Sequence, residues 1–102
     1  MAYFIVSASL RDPLPMPIAE VEALLPSHKD FILRGIKDNR VLCAGPKKTG
    51  SGGFIIVKAE TRAALEDYIS TDPYFQQGIQ RYDISEFTPY DYQEYLTAWV
   101  NP

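Results

Sequence analysis

The chain has one histidine, His28, and imidazole is the side chain best suited to moving a proton at neutral pH, since an unperturbed ring titrates near ~6.5. A carboxylate at one ring nitrogen would fix the tautomer and favour the charged ring, as general acid–base catalysis requires. Asp72 is the candidate partner. It lies in Thr71-Asp72-Pro73-Tyr74-Phe75, where a helical pattern ends on an acid followed at once by proline. Such a pair could take a proton from O–H or C–H next to a carbonyl, giving elimination, isomerisation or tautomerisation without a metal. Each residue also has a plainer reading. Aspartate before proline caps a short helix, and a half-buried histidine pairs with any nearby acceptor. The two readings are compatible if one oxygen of Asp72 holds a backbone amide and the other holds His28.

Other reactive residues fit less well. A single cysteine, Cys43, makes no intrachain disulfide, and with one histidine it cannot complete a Cys/His zinc set, so neither a metal nor a cofactor site is expected. Cys43 sits inside an apolar segment and reads as a small buried filler. Gly45 to Ser51 approaches a phosphate-loop spacing, but Ser51 stands where the lysine must be. Lys47 and Lys48 read as a solvated hairpin face. Ser27 reads as a first-turn residue satisfying backbone groups.

Composition narrows the partners. With 13 acids against 10 bases the net charge is −3, so no basic field attracts nucleic acid. No apolar run reaches the ~18–20 residues of a membrane span, and no basic segment followed by an apolar core opens the chain, so a cytoplasmic protein without a membrane partner is expected. A hydrophobic fraction of 46% in 102 residues suits one core.

The pattern predicts the elements that position the pair. Tyr3 to Ser9 reads as a strand with Phe4, Val6 and Ala8 on one face and Tyr3, Ile5 and Ser7 on the other. Pro13, Pro15 and Pro17 favour an extended connector, and a short helix covers Ile18 to Leu25. A longer helix is predicted over 26–39, with Pro26 in its first turn and His28, Phe31, Ile32, Gly35 and Ile36 as its inward stripe. Val41 to Pro46 and Phe54 to Ala59 read as strands joined by a glycine hairpin over 50–53. The continuous apolar run Phe54-Ile55-Ile56-Val57 predicts cover on both faces. Thr61 caps a helix over 62–70, whose stripe Leu65, Tyr68 and Ile69 leads to Asp72. A last strand spans 79–87 with Tyr82 and Ile84 on one side. Beyond Pro89, Asp91 is expected to cap a helix that turns Tyr92, Tyr95, Leu96 and Trp99 inward.

The order βαββαβ predicts a ferredoxin-like α+β sandwich: an α+β domain over 1–88 and an aromatic tail over 89–102 that packs on the domain or a partner. Tracing strand directions puts the start of the first long helix and the end of the second at the same end of the sheet. His28 and Asp72 therefore meet there, and Gly45, Pro46, Gly52 and Gly53 arrive at that end too. With Phe31 and Tyr74 these are the candidate substrate-contacting residues. The sheet face without helices stays apolar, which predicts a homodimer with sheet facing sheet.

His28, Phe31, Gly35, Ala44-Gly45-Pro46, Gly52-Gly53 and Asp72-Pro73-Tyr74 followed by Gly78, taken as an ordered set, resemble the YciI-like (YCII-related) family over Tyr3 to Phe87. The resemblance implies a dimeric α+β barrel and a His–Asp pair placed like a catalytic dyad, which His28 and Asp72 match. The best-described enzymatic relative type is a dehydrochlorinase of a chlorinated hydroxyquinol, and the fold is shared with muconolactone isomerases and small-molecule monooxygenases. The expectation is a cofactor-independent lyase or isomerase acting on an unidentified small enolisable or hydroxy-aromatic molecule. The other expectation keeps the pocket without turnover, as a small-molecule-binding or accessory domain.

Overall fold

Alternation in the first strand divides the molecule into two sides. In the computed structural model, which describes residues 1–102, the elements are β1 (Ala2–Leu10), α1 (Ile18–Ala23), α2 (Leu25–Lys37), β2 (Val41–Pro46), β3 (Gly53–Ala59), α3 (Arg62–Ile69), α4 (Pro73–Gln76) and β4 (Gln80–Phe87). A 3-10 turn (Glu94–Leu96) and α5 (Thr97–Val100) complete the chain. The strands form one antiparallel sheet in the order β2-β3-β1-β4. Phe4 and Val6 of β1 and Ile55 and Val57 of β3 meet Phe31 of α2 and Leu65, Tyr68 and Ile69 of α3 in one core. Burying apolar side chains of this size stabilises by roughly 1.5–3 kcal/mol each, which holds both helices on that face. The result is the ferredoxin-like α+β fold. No helix is long and apolar enough to cross a membrane.

Local chemistry sets the element ends. Pro26 occupies the first turn of α2, and Asn39, at φ 62°, takes the left-handed conformation that ends it. The Thr61 hydroxyl accepts from the Ala64 amide at 3.1 Å and caps α3. Between the helices, Tyr68 Oη donates to the Phe31 carbonyl at 2.9 Å, and the two rings stack at 4.4 Å. Gly35 makes that approach possible, since a Cβ there would overlap the Tyr68 hydroxyl and lie 2.6 Å from Val41 Cγ2.

Several expectations are corrected. Ile36 is 44% exposed, because the helical contact centres on Phe31 and Gly35, and each further residue turns about 100° away. Cys43 is exposed rather than a buried filler; β2 is an edge strand, and only Val41 in it is buried. The apolar run of β3 is covered fully on one face and only in part on the other, where the tail packs on Ile56. Ile55, Val57 and Ala59 are buried beneath the helices, while Phe54 on the other face is 48% exposed.

The tail departs furthest. Asp91 caps nothing: the 3-10 turn follows Gln93 without a side-chain cap, and Tyr95 is 82% exposed. The inward set is Leu96, Trp99 and Val100, which lie with Tyr3, Leu42, Ile56 and Phe87 on the sheet face opposite α2 and α3. Two tethers place it there. Lys58 Nζ donates to the Trp99 carbonyl at 2.7 Å, and Tyr3 Oη donates to the Val100 carbonyl. A segment this short is marginal as a helix by itself, so its form follows the tethers.

Replacing Gly35 by Ala separates helix propensity from packing. At an open helical position the change would gain about 0.5–1 kcal/mol; overlap with Tyr68 and Val41 instead predicts a loss of about 1–3 kcal/mol. Urea unfolding reads the sign directly, and a raised midpoint would contradict the close approach.

Candidate active site

The end of α3 creates the carboxylate's position. After Ile69 the chain turns through Ser70 and Thr71, and the Asp72 amide donates to the Ile69 carbonyl at 2.9 Å. Pro73 disfavours helical backbone in the residue before it, and Asp72 is extended at φ −74°, ψ 123°. From there its Oδ1 accepts from the Tyr74 amide at 3.0 Å and caps α4. The same oxygen lies 2.8 Å from His28 Nδ1, in the first turn of α2. Asp72 has no exposed surface, whereas 19% of the His28 side chain is open.

A carboxylate only accepts, so the hydrogen it shares with His28 belongs to Nδ1. Nε2 is then the nitrogen left for a ligand, with its lone pair available in the neutral ring. Aromatic rings hold the imidazole plane. Tyr74 stacks on it at 4.2 Å and 7°, and Phe31 lies 6.2 Å away at 26°. Tyr74 Oη is engaged in turn with the Val21 carbonyl at 3.3 Å.

The second oxygen of Asp72 differs from the expectation. His28 and the cap share Oδ1, and Oδ2 accepts from Tyr82 Oη at 2.6 Å. Tyr82 is the residue that sequence reasoning missed. Strand alternation groups it with Ile84 on one side, but its partner is set by the pairing of β4 with β1.

The remaining candidates divide. Phe31 and Tyr74 adjoin the dyad, yet both are buried; they support the imidazole and present little surface to a ligand. Gly45 and Pro46 lie exposed on β2. At Gly52, φ is +77° and a Cβ would overlap the Ala8 carbonyl; at Gly53 a Cβ would collide with the Gly45 carbonyl. These glycines close the hairpin against its neighbours, and none of these four residues supplies a hydrogen bond or ring to the dyad.

No group of three or more His, Cys, Asp or Glu side chains converges as a metal-ligand set. Two recesses lie elsewhere. One borders Arg40, Asp67 and Tyr68, and one of about 600 Å³ lies beside Trp99 and Phe87. Neither includes His28 or Asp72.

The YCII-related domain matches residues 1–88. The chain belongs to the YCII-related family. No match is found among curated proteins. Among solved structures, the chain is similar to 5-chloro-2-hydroxyhydroquinone dehydrochlorinase from Burkholderia phenoliruptrix AC1100, determined in complex with 2,5-dihydroxybenzoquinone. The TM-score is 0.66 at 18% identity, over 83% of this chain and 92% of the other. That likeness establishes a shared fold. The tail beyond residue 88, which carries Trp99 and Val100, lies outside the family match.

Three tyrosines around Asp72 resist ionisation. Burial pushes Tyr68 up to about 12. Burial, the hydrogen bond to Asp72 and its charge raise Tyr82, and burial with the charges of Asp72 and Glu22 raises Tyr74. An unfolded tyrosine titrates near ~10. Above that pH the unfolded chain loses phenolic protons that the folded chain keeps, so stability is intact below about pH 10 and falls as pH rises through about 12. Lys58, which burial lowers, acts in the opposite direction, but as one group against three. Urea unfolding across this range, followed with phenolate absorbance, checks the sign. A flat stability profile would contradict it.

Proposed function

We propose that this YCII-related protein is an acid–base enzyme of lyase or isomerase type, acting on a small enolisable or hydroxy-aromatic molecule. The observation that carries this reading is the fully buried Asp72 carboxylate bonded at 2.8 Å to Nδ1 of a His28 side chain that is 19% open. In this reading Nε2 takes a proton from a hydroxyl, or from carbon next to a carbonyl. The electron pair left behind becomes an enolate. Isomerisation follows when the imidazolium returns the proton to another carbon. Elimination follows when the pair expels a leaving group as its anion and the proton passes to solvent. Both routes balance without an external oxidant or reductant. Asp72 stabilises the imidazolium through a charge-assisted hydrogen bond and keeps Nε2 as the working nitrogen. The ligand of the structural neighbour, a dihydroxybenzoquinone, supports a hydroxy-aromatic substrate class.

Turnover is tested on a panel of halogenated hydroxy-aromatics, lactones and enolisable ketones. His28→Ala is expected to lower kcat/KM by about 10²–10⁴-fold, and Asp72→Asn to lower it less while the fold is retained. Activity unchanged in folded His28→Ala would sink the assignment. A parent protein that binds panel members without converting them would favour a binding or accessory domain.

The reading includes a homodimer through the sheet face opposite α2 and α3. The tail covers Tyr3 and Ile56 there, while Ile5 and Phe54 remain exposed. An apolar surface of this kind is suited to a second copy. Sedimentation equilibrium at micromolar concentration is expected to give twice the chain mass; a monomer would remove the dimer from the reading.

A further inference from the structure

We propose that Tyr82 is a positioning residue of this site: by donating to the far oxygen of Asp72, its hydroxyl sets how strongly that carboxylate holds the His28 imidazole. The catalytic consequence rests on the acid–base reading above, but the coupling itself does not require turnover. The geometry is specific. Oδ1 of Asp72 is shared between His28 Nδ1 at 2.8 Å and the Tyr74 amide at 3.0 Å, so the only side-chain donor to Oδ2 is Tyr82, at 2.6 Å. Tyr82 stands on β4 opposite Ala8, within a pairing to β1 that runs from Gln80 to Phe87. The Phe75 ring lies 6.0 Å from the phenol. Backbone pairing and ring packing therefore fix where the donor sits, and the donor fixes the carboxylate plane.

A hydrogen bond donated to a carboxylate draws off part of its negative charge. Asp72 then competes less for the proton on Nδ1, and a proton collected at Nε2 remains on the imidazole. With the hydroxyl removed, Oδ2 would be a buried acceptor without a donor, and the pair as a whole would bind protons more tightly. Few other ionisable groups act on this pair. Asp72 and Tyr74 come from the α3–α4 junction, Glu22 of α1 acts at Tyr74, and Tyr68 of α3 feels Asp72. Lys29 and Asp30 follow His28 in α2 and are exposed. Tyr82 alone touches Oδ2.

Because the chain has one histidine, a single set of imidazole NMR resonances reports the effect. Tyr82→Phe, which keeps the ring, is expected to move the titration midpoint up by about 0.5–1 pH unit. Incorporating 3-fluorotyrosine at position 82, a more acidic donor, is expected to move it down. In an Asp72→Asn background neither change should move it. Where a substrate is found, the pH profile of kcat should follow the same displacement with KM little altered. An unmoved midpoint in both variants, or equal shifts with and without Asp72, overturns the proposal. If Tyr82→Phe does not fold, the fluorinated protein decides alone. Shifts as expected with no turnover on any substrate would defeat the enzymatic reading and leave the coupling intact; turnover with an unmoved midpoint would do the reverse.

Discussion

A carboxylate stripped of water requires hydrogen-bond donors, and Asp72 imposes that requirement on three separate parts of the fold. Burying a charge costs several kcal/mol unless partners replace its hydration. Here the replacements are an imidazole from α2, a backbone amide from α4 and a phenol from β4. They come together only if α2 begins at the same end of the sheet as α3 finishes, if the chain breaks at Pro73, and if β4 pairs with β1 in the observed register. The charge at the centre thus ties together choices made far apart in the sequence. A misplaced helix would leave a donor missing and the charge exposed to its full desolvation cost.

Stability and site chemistry share residues. Phe31 belongs to the main core and also lies beside the imidazole, and its carbonyl accepts from Tyr68. Gly35, one helical turn further on, lets Tyr68 reach it. From the core to the ring that would carry the proton, each contact is a packed aromatic or a short hydrogen bond. An imidazole stacked on Tyr74, with Phe31 nearby and Nδ1 bonded to Asp72, has little freedom to rotate, which keeps Nε2 in one direction.

Strong local signals made much of this legible in the residues. The alternation of Phe4, Val6 and Ala8, the Thr61 cap and the Asp72-Pro73 break each express short-range physics, and strand directions alone bring His28 and Asp72 to one end. What escaped prediction depends on neighbours. Cys43 looked like core because its segment is apolar, but burial there is decided by the sheet order, which makes β2 an edge. Tyr82 shares a strand side with Ile84 in the pattern, yet its bond to Asp72 depends on a pairing between distant strands. The tail misled through composition: Tyr92, Tyr95 and Trp99 share a helical face in pattern, whereas Lys58 and Tyr3 grip the chain at Trp99 and Val100 and leave Tyr95 in water.

That grip has a consequence for the order of assembly. Tyr3 and Val100 lie 97 residues apart, so their bond closes a very long loop, and synthesis supplies Val100 only after all four strands of the sheet. A nascent chain that has completed β4 can already bury Phe4, Phe31 and Leu65, but Tyr3, Ile56 and Phe87 still lack Leu96, Trp99 and Val100 above them. During that interval the newborn domain carries an adhesive sheet face. Leu96, Trp99 and Val100 therefore act as a built-in shield that arrives only after the sheet they cover.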